Sequence, residues 1–225
     1  MSVPRLDRSQ LGVLVIDVQP YFVESAFADG AGEYEALMVR LEHLFMIAEA
    51  LGLPLIATFE KPIEENGELP GNLERLFPEH GERYVKNHFG LMSEPEIRAA
   101  VERSRVAQWV VAGAETDVCV MQSTLGLLDA GYEVFLLEDC LFTTEADPAP
   151  ALERIYGAGA IPLSLKSMLY ELIGCVDNIG WDDEILGPGD GRAPDPFPPA
   201  FIAPELWPAR APRAQTGRLH RLPHE

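Results

Sequence analysis

The sequence predicts an α/β fold with a parallel β-sheet covered by helices on both faces. Short apolar segments rich in β-branched residues alternate with longer segments of helical periodicity. Consecutive positions of the short segments are apolar, as expected of strands buried on both faces of a parallel sheet. The chain has 225 residues, of which 47% are hydrophobic, enough for one large domain with a substantial core. Alternating strands and helices imply right-handed crossover connections.

The first half of the chain begins with a predicted buried strand at 11–18, LGVLVIDV. A helix is predicted at 33–51, where apolar residues recur at helical spacing, and Gly52 ends it. A second buried strand follows at 54–59, PLIATF.

The stretch 63–87 is rich in proline, glycine and glutamate, which predicts a long surface loop with one short helix near 73–76. Loops of this length in compact domains are often functional. The alternation then resumes, and Gly131 closes one of the helices. The remaining predicted elements are helix 94–104, strand 108–114, helix 116–130, strand 132–138, helix 147–156, strand 160–165 and helix 166–173.

Charge and composition exclude several classes of partner and location. The formal net charge of -19 disfavours nucleic acids and anionic membranes, because binding phosphate requires clustered lysine and arginine. No apolar run approaches the ~20 residues of a membrane span, and the first ten residues do not resemble a signal peptide. The three cysteines, Cys119, Cys140 and Cys175, show no Cys-x-x-Cys spacing, which favours reduced thiols in a cytoplasmic protein.

The character of the sequence changes near residue 182. We therefore divide the chain into a domain at 1–181 and a C-terminal arm at 182–225, which is too rich in proline and glycine for regular structure. A disordered tail is one interpretation. The arm also contains apolar residues such as Phe201 and Trp207, which favour an extended segment that packs on the body or on a neighbouring subunit.

Polar residues at the carboxyl ends of predicted strands are candidates for a functional site, because ligands of such sheets bind there. Asp17 closes the first strand, and its apolar neighbours are expected to raise its pKa towards that of a useful base. The alternative is a structural aspartate that caps a turn through Gln19 and Pro20. Lys86 is either a solvated lysine or a cation that keeps nearby acidic groups ionised.

Cys119, in GAETDVCV, follows the third buried strand at the predicted start of a helix. With Thr116 or Asp117 as the N-cap, the thiol lies in the first turn, where the helix dipole is expected to lower its pKa. Backbone N–H groups of such a turn can also hold an oxyanion. The alternative is a buried cysteine that acts as a small apolar residue.

Three motifs together resemble the isochorismatase-like cysteine hydrolases, which include nicotinamidases, N-carbamoylsarcosine amidases and isochorismatases. They are VLVIDVQPYF with Asp17, YVKNHFG with Lys86, and VVAGAETDVCVMQSTLGLLDAGYEVFLLEDC with Cys119. The resemblance covers about 11–173. It implies a three-layer αβα sandwich with a central, mostly parallel sheet of Rossmann-type topology, and an Asp–Lys–Cys catalytic triad.

The resemblance also assigns roles to individual residues. Asp17 would be the general base, Cys119 the nucleophile that forms a thioester, and Lys86 the cation that stabilises the anions. The backbone N–H groups of Glu115 and Cys119 would hold the oxyanion, next to a cis peptide bond between Ala114 and Glu115. These roles imply an amidohydrolase that cleaves a C–N bond of a small amide, ureide or carbamoyl compound.

Two departures from family patterns refine this expectation. Metal-dependent nicotinamidases carry Asp-x-His after the second strand, where this chain has Phe59, Glu60 and Lys61, so we expect neither a metal nor another cofactor. Isochorismatases cleave a vinyl ether, and some of them lack the cysteine. Because Cys119 is present, we expect C–N hydrolysis. The alternatives are hydrolysis of an ether and a non-catalytic binding or assembly protein with the same fold.

The resemblance further implies a small-molecule substrate and a homodimer or homotetramer. Residues near the predicted strand ends are candidates for substrate contacts, and each has an alternative role in ordinary loop packing or as a solvated charge. These candidates are Phe22, Phe27, Glu60, Asn87 and His88.

Overall fold

A computed structural model of the chain describes residues 3–28 and 30–175 and the backbone of 219–220. The described strands form one sheet in the order β6-β5-β4-β1-β2-β3-β7, and every neighbouring pair is parallel. The strands are β1 Leu11–Ile16, β2 Leu55–Glu60, β3 Glu82–Lys86, β4 Gln108–Gly113, β5 Glu133–Leu141, β6 Ile161–Leu163 and β7 Leu219–His220. With helices on both faces, the predicted α/β fold class is confirmed.

Local sequence signals explain several helix boundaries. Helix α1 begins at Pro20, α2 ends at Gly52 in the left-handed conformation, and the Ser164 side chain accepts a hydrogen bond at the start of α8. The helices are α1 Pro20–Ala26, α2 Ala31–Leu51, α3 Ile63–Asn66, α4 Gly71–Leu76, α5 Pro95–Arg103, α6 Met121–Asp129, α7 Ala149–Gly157 and α8 Leu165–Ile173. Short 3₁₀ turns lie at Arg8–Gln10 and Leu91–Ser93, and a π-helical turn at Thr116–Val120 precedes α6.

Two hydrophobic clusters, one on each face of the sheet, hold the layers together. Phe45 of α2 and Met168 of α8 belong to the first cluster, whereas Ile97 of α5, Leu127 of α6 and Ile155 of α7 belong to the second. The strands contribute to both clusters because their residues are apolar on both faces. None of the described helices is both long and apolar enough to span a membrane.

The short helix predicted near 73–76 is confirmed as the end of α4, but the prediction of a long surface loop at 63–87 is wrong, because this stretch also contains α3 and the internal strand β3. Glu60 pairs with Lys86 in the register of β2 and β3. The strand escapes recognition because Glu82, Arg83 and Lys86 make ERYVK mostly charged, although Tyr84 and Lys86 are buried. Tertiary pairing of the charged side chains therefore overrides the local pattern.

The order of the strands places a topological switch point at β1. From β1 the chain passes to β2 on one side, whereas β4 pairs with β1 on the other side. The predicted strand 11–18 ends early, at Ile16, so that Asp17 lies just beyond the carboxyl end of β1. This edge is where parallel α/β sheets bind ligands.

The predicted C-terminal arm, 182–225, lies outside the described residues except for 219–220. These two residues pair in parallel with Arg83 and Tyr84 of β3.

Candidate active site

Four polar side chains meet at the carboxyl edge of the sheet. Asp17 follows β1, Glu60 ends β2, Lys86 ends β3, and Cys119 lies in the π-helical turn after β4. Lys86 Nζ is 2.6 Å from Asp17 Oδ2, 3.2 Å from Cys119 Sγ and 3.4 Å from Glu60 Oε2. Cys119 Sγ is in turn 3.0 Å from Glu60 Oε2. The three candidate catalytic residues and Glu60 therefore form one compact cluster.

Asp17 is held by backbone and side-chain contacts to β2. Its N–H donates to the Thr58 carbonyl at 3.1 Å, and Thr58 Oγ1 donates to Asp17 Oδ1 at 2.9 Å. Its φ of 50° lies in the left-handed region, which a non-glycine residue adopts only when its surroundings enforce it. Burial raises the pKa of the Asp17 carboxyl, although Lys86 and Thr58 partly oppose this rise.

Lys86 is fully buried, so the interpretation of a solvated surface lysine is wrong. Burial by itself would lower the pKa of the ammonium group. The negative charge of Asp17, together with that of Glu60, outweighs burial and raises that pKa above its usual value. Lys86 is therefore a fixed cation between the carboxylates and the thiol.

The pKa of the Cys119 thiol is raised, which contradicts the predicted lowering. Burial is the main cause, followed by the Asp17 charge, while Lys86 opposes the rise and a hydrogen bond to Glu60 adds to it. A helix start favours a thiolate, but removal from water next to two carboxylates outweighs that effect. The resting thiol is protonated and donates to Glu60.

The predicted capping of the turn by Thr116 or Asp117 is also wrong. Glu115 occupies the N-cap position, and its side chain does not cap the turn. Thr116 Oγ1 donates to the Phe142 carbonyl, and Asp117 Oδ1 accepts from Thr143. Both side chains therefore tie the turn to the segment after β5 instead.

Glu115 is fixed at the entry of the same turn. The peptide bond that joins Ala114 to Glu115 is cis. The Glu115 carboxylate accepts hydrogen bonds from the N–H and the hydroxyl of Thr144, and its carbonyl accepts from the N–H groups of Val118 and Val120.

The proposed substrate residues do not all lie at the cluster. Asn87 and His88 are exposed, and the buried carboxylate of Glu94 accepts hydrogen bonds from both of their backbone N–H groups. Within the described residues, Glu60 is the candidate that forms a hydrogen bond with Cys119.

Phe22 and Phe27 lie in and just after α1, where both pack against the core. Phe27 stacks obliquely on Phe142 and lines an open groove of about 520 Å³ between α1, the start of α2 and the start of α4. Cys119 does not line this groove.

Asp17, Glu60 and Cys119 would be the donors for a metal ion, since one ligand atom from each lies within 4.8 Å of the others. Lys86 Nζ, however, lies within 3.4 Å of all three groups. The ammonium group of Lys86 already supplies the positive charge between these donors, so the site is a poor fit for a metal ion.

Sequence reasoning missed residues that position the cluster. Gln19 and Thr58 are buried and hydrogen-bond to Glu60 and Asp17, and Glu94 anchors the chain directly after Lys86. A buried polar residue in an otherwise apolar strand requires a partner, so Thr58 in PLIATF was a detectable signal.

Comparison with known proteins agrees with this geometry. A family model described as the isochorismatase domain matches residues 12–167. The chain belongs to the isochorismatase family. Isochorismatase family protein 1B of Dictyostelium discoideum is 26% identical over 172 residues, covering 72% of this chain and 82% of the relative.

Among solved structures of the isochorismatase fold, YcaC from Pseudomonas aeruginosa superposes with a TM-score of 0.72 and 27% identity, covering 79% of this chain and 87% of that one. YcaC from Escherichia coli, described as an octameric hydrolase of unknown specificity, has a TM-score of 0.72 and 24% identity over 79% of this chain and 86% of that one. The predicted family resemblance is confirmed, and the chain has the fold of a hydrolase family.

Proposed function

We propose that the protein is a metal-independent cysteine hydrolase that cleaves a C–N bond of a small amide, ureide or carbamoyl compound through a thioester. The observation that carries this proposal is the contact of Cys119 Sγ with Lys86 Nζ at 3.2 Å, with Asp17 paired to the same ammonium at 2.6 Å. A nucleophile, a base and a fixed cation therefore lie at the switch point of the sheet.

In the first step, the Cys119 thiol transfers its proton to Asp17 as Sγ attacks the substrate carbonyl carbon. Because burial raises the pKa of the Cys119 thiol, we expect deprotonation to accompany attack instead of preceding it. The raised pKa of Asp17 makes this carboxylate a better proton acceptor than an exposed aspartate. Lys86 stabilises the negative charge as it moves from carboxylate to sulfur and then to oxygen.

The attack forms an S–C bond and places a negative charge on the former carbonyl oxygen. The N–H groups of Glu115 and Cys119 would hold this oxyanion. Asp17 returns the proton to the leaving nitrogen as the C–N bond breaks, which gives the amine and a thioester. Water then attacks the thioester, Asp17 accepts its proton, and the C–S bond breaks to release the acid and restore the thiol.

Two relatives support parts of this proposal, one a reactive nucleophile and the other hydrolysis. The Pseudomonas aeruginosa YcaC structure contains covalent acrylamide, a neutral amide that reacts with thiolates. The Escherichia coli relative is described as a hydrolase.

The proposal is tested by measuring ammonia or amine release across a panel of small amides, ureides and carbamoyl compounds. We expect wild-type protein and the Cys175→Ala control, which removes an exposed thiol, to hydrolyse the same compounds. Cys119→Ala should lose about 10³-fold or more in kcat/KM. Turnover of these compounds that persists in Cys119→Ala but not in Asp17→Asn would instead indicate direct attack by water, with Asp17 as the base and without a thioester.

We also propose that the protein forms homo-oligomers, because the YcaC relative from Escherichia coli is octameric. The C-terminal arm, 182–225, would contribute to assembly. Light scattering of the full chain and of a chain ending at 181 tests this, and the same number of subunits in both assemblies would contradict a role of the arm.

A further inference from the structure

Glu60 is a part of the cluster that the proposed reaction leaves without a role. It is the last residue of β2, directly opposite Lys86 in the β2–β3 register. Its Oε2 atom accepts the thiol hydrogen of Cys119 at 3.0 Å and lies 3.4 Å from Lys86 Nζ. A second carboxylate therefore stands at the nucleophile, beside Asp17.

The backbone of Glu60 is fixed by buried side chains. Gln19 Oε1 accepts from the Glu60 N–H at 2.7 Å, and Gln19 Nε2 donates to the Glu60 carbonyl at 3.1 Å. Asn66 Nδ2 donates to the same carbonyl at 3.1 Å. Because both amide side chains are buried, they fix the backbone from which the Glu60 side chain extends to Cys119 and Lys86.

The charges of the cluster do not cancel. Asp17 and Lys86 neutralise each other in a pair whose side chains are 1% and 0% exposed. Glu60 adds a further negative charge, and its side chain is 19% exposed. A molecule that approaches Cys119 from solvent therefore meets the charge of Glu60 before the buried pair.

The distances place Glu60 within reach of a substrate. A carbonyl carbon poised for attack lies roughly 3–3.5 Å from the nucleophile. Since Glu60 Oε2 is 3.0 Å from Sγ, an N–H on that carbon can donate to Oε2 at hydrogen-bond distance. The substrate N–H then takes the place of the thiol as the donor to Glu60, and the thiol transfers its proton to Asp17.

We infer that Glu60 is a specificity-determining residue that restricts the site to neutral or cationic substrates with an N–H for Oε2. This inference rests on the proposed function, because it describes the substrate class of the same cysteine site. A carboxylate on the substrate next to Glu60 would place two like charges in a largely buried site, which is strongly unfavourable. Glu60 thus selects against acidic substrates, including the isochorismate-like acids of ether hydrolysis.

The test compares alkylation of Cys119 by neutral iodoacetamide and anionic iodoacetate, read at the Cys119 peptide by mass spectrometry. Both reagents require the same thiolate, so the ratio of their rate constants cancels any change in its population. The reference is the ratio for the same thiol in the urea-unfolded chain. Because alkylation needs no hydrolysis, a failure to hydrolyse any amide leaves this result readable.

In the folded wild type, we expect the preference for iodoacetamide to exceed the unfolded reference by at least about tenfold. Glu60→Gln, which keeps the size and the backbone contacts, should bring the ratio close to the reference. Glu65→Gln, which makes the same charge change at an exposed position in α3, should leave it at the wild-type value. A wild-type ratio equal to the reference, or a Glu60→Gln ratio equal to that of wild type, overturns the inference.

Discussion

Among the glycines that the structure describes, Gly113, the last residue of β4, is where an added methyl group makes the closest contact. Its φ is 115°, and a Cβ atom there would lie 2.0 Å from the Ile16 carbonyl oxygen. Real Cβ atoms essentially never approach closer than 3.0 Å, so β1 and β4 would have to move apart by about 1 Å. That movement would break the hydrogen bond from the Ala114 N–H to the Ile16 carbonyl, now 2.8 Å long.

The expected loss of stability follows from these contacts. The positive φ costs about 1–3 kcal/mol for alanine, overpacking about 1–3 kcal/mol, and the lost hydrogen bond about 1 kcal/mol. Gly113→Ala should therefore lower the free energy of unfolding by roughly 3–7 kcal/mol. Asp17 directly follows Ile16, so hydrolytic activity should fall as well.

Gly159 provides a matched control. It has the same φ of 115°, but a Cβ atom there meets nothing within 4 Å. Gly159→Ala should therefore cost only the backbone strain of about 1–3 kcal/mol. Urea unfolding followed by circular dichroism measures both variants. If Gly113→Ala is no more destabilised than Gly159→Ala, the close approach of β4 to Ile16 is not the constraint inferred here.

Three further substitutions test the cluster. Lys86→Met leaves the charge of Asp17 buried without its partner, so urea unfolding should show a loss of about 3–5 kcal/mol in the free energy of unfolding. An unchanged free energy of unfolding would contradict a stabilising ion pair. Asp17→Asn removes a charge that raises the pKa of the Cys119 thiol, so alkylation of Cys119 should be faster at a given pH. Hydrolysis should fall about 10²–10⁴-fold, because the base is lost. Slower alkylation than in wild type would contradict this. Glu94→Gln should destabilise by about 1.5–3 kcal/mol near neutral pH. Burial alone would raise the Glu94 pKa, but hydrogen bonds from His88 and Asn87 lower it below 4.5. The difference in unfolding free energy between Glu94→Gln and wild type should therefore shrink as the pH falls below that value, and a pH-independent difference would contradict the role of the carboxylate.

The sequence predicted the parallel sheet and two members of the cluster because their signals are local. Asp17 directly follows one apolar strand and Cys119 lies in the turn after another, at the edge of the sheet where ligands bind. Lys86 depended on the family resemblance, since its strand is mostly charged and is recognisable only through its pairing with β2. Burial of that strand is a tertiary property that no local window contains.

The error in the thiol pKa has the same origin. A helix start is visible in the sequence, but the proximity of Glu60 and Asp17 to Cys119 depends on the register of three strands. Burial and the carboxylate charges raise the pKa of the thiol more than the start of the helix lowers it, and both depend on tertiary structure. The sequence indicates Glu60 only as a candidate for substrate contact, and its contact with the thiol depends on the folded sheet.

The central claim is that Cys119 carries the substrate's acyl group during turnover. Acid-quenched reactions with a hydrolysed amide, analysed by intact mass and peptide mapping, test this most directly. We predict an added mass equal to the acyl group on the Cys119 peptide of wild type and of Cys175→Ala, and its absence in Cys119→Ala. Hydrolysis at full rate by Cys119→Ala, or an acyl group on another residue, would contradict the account.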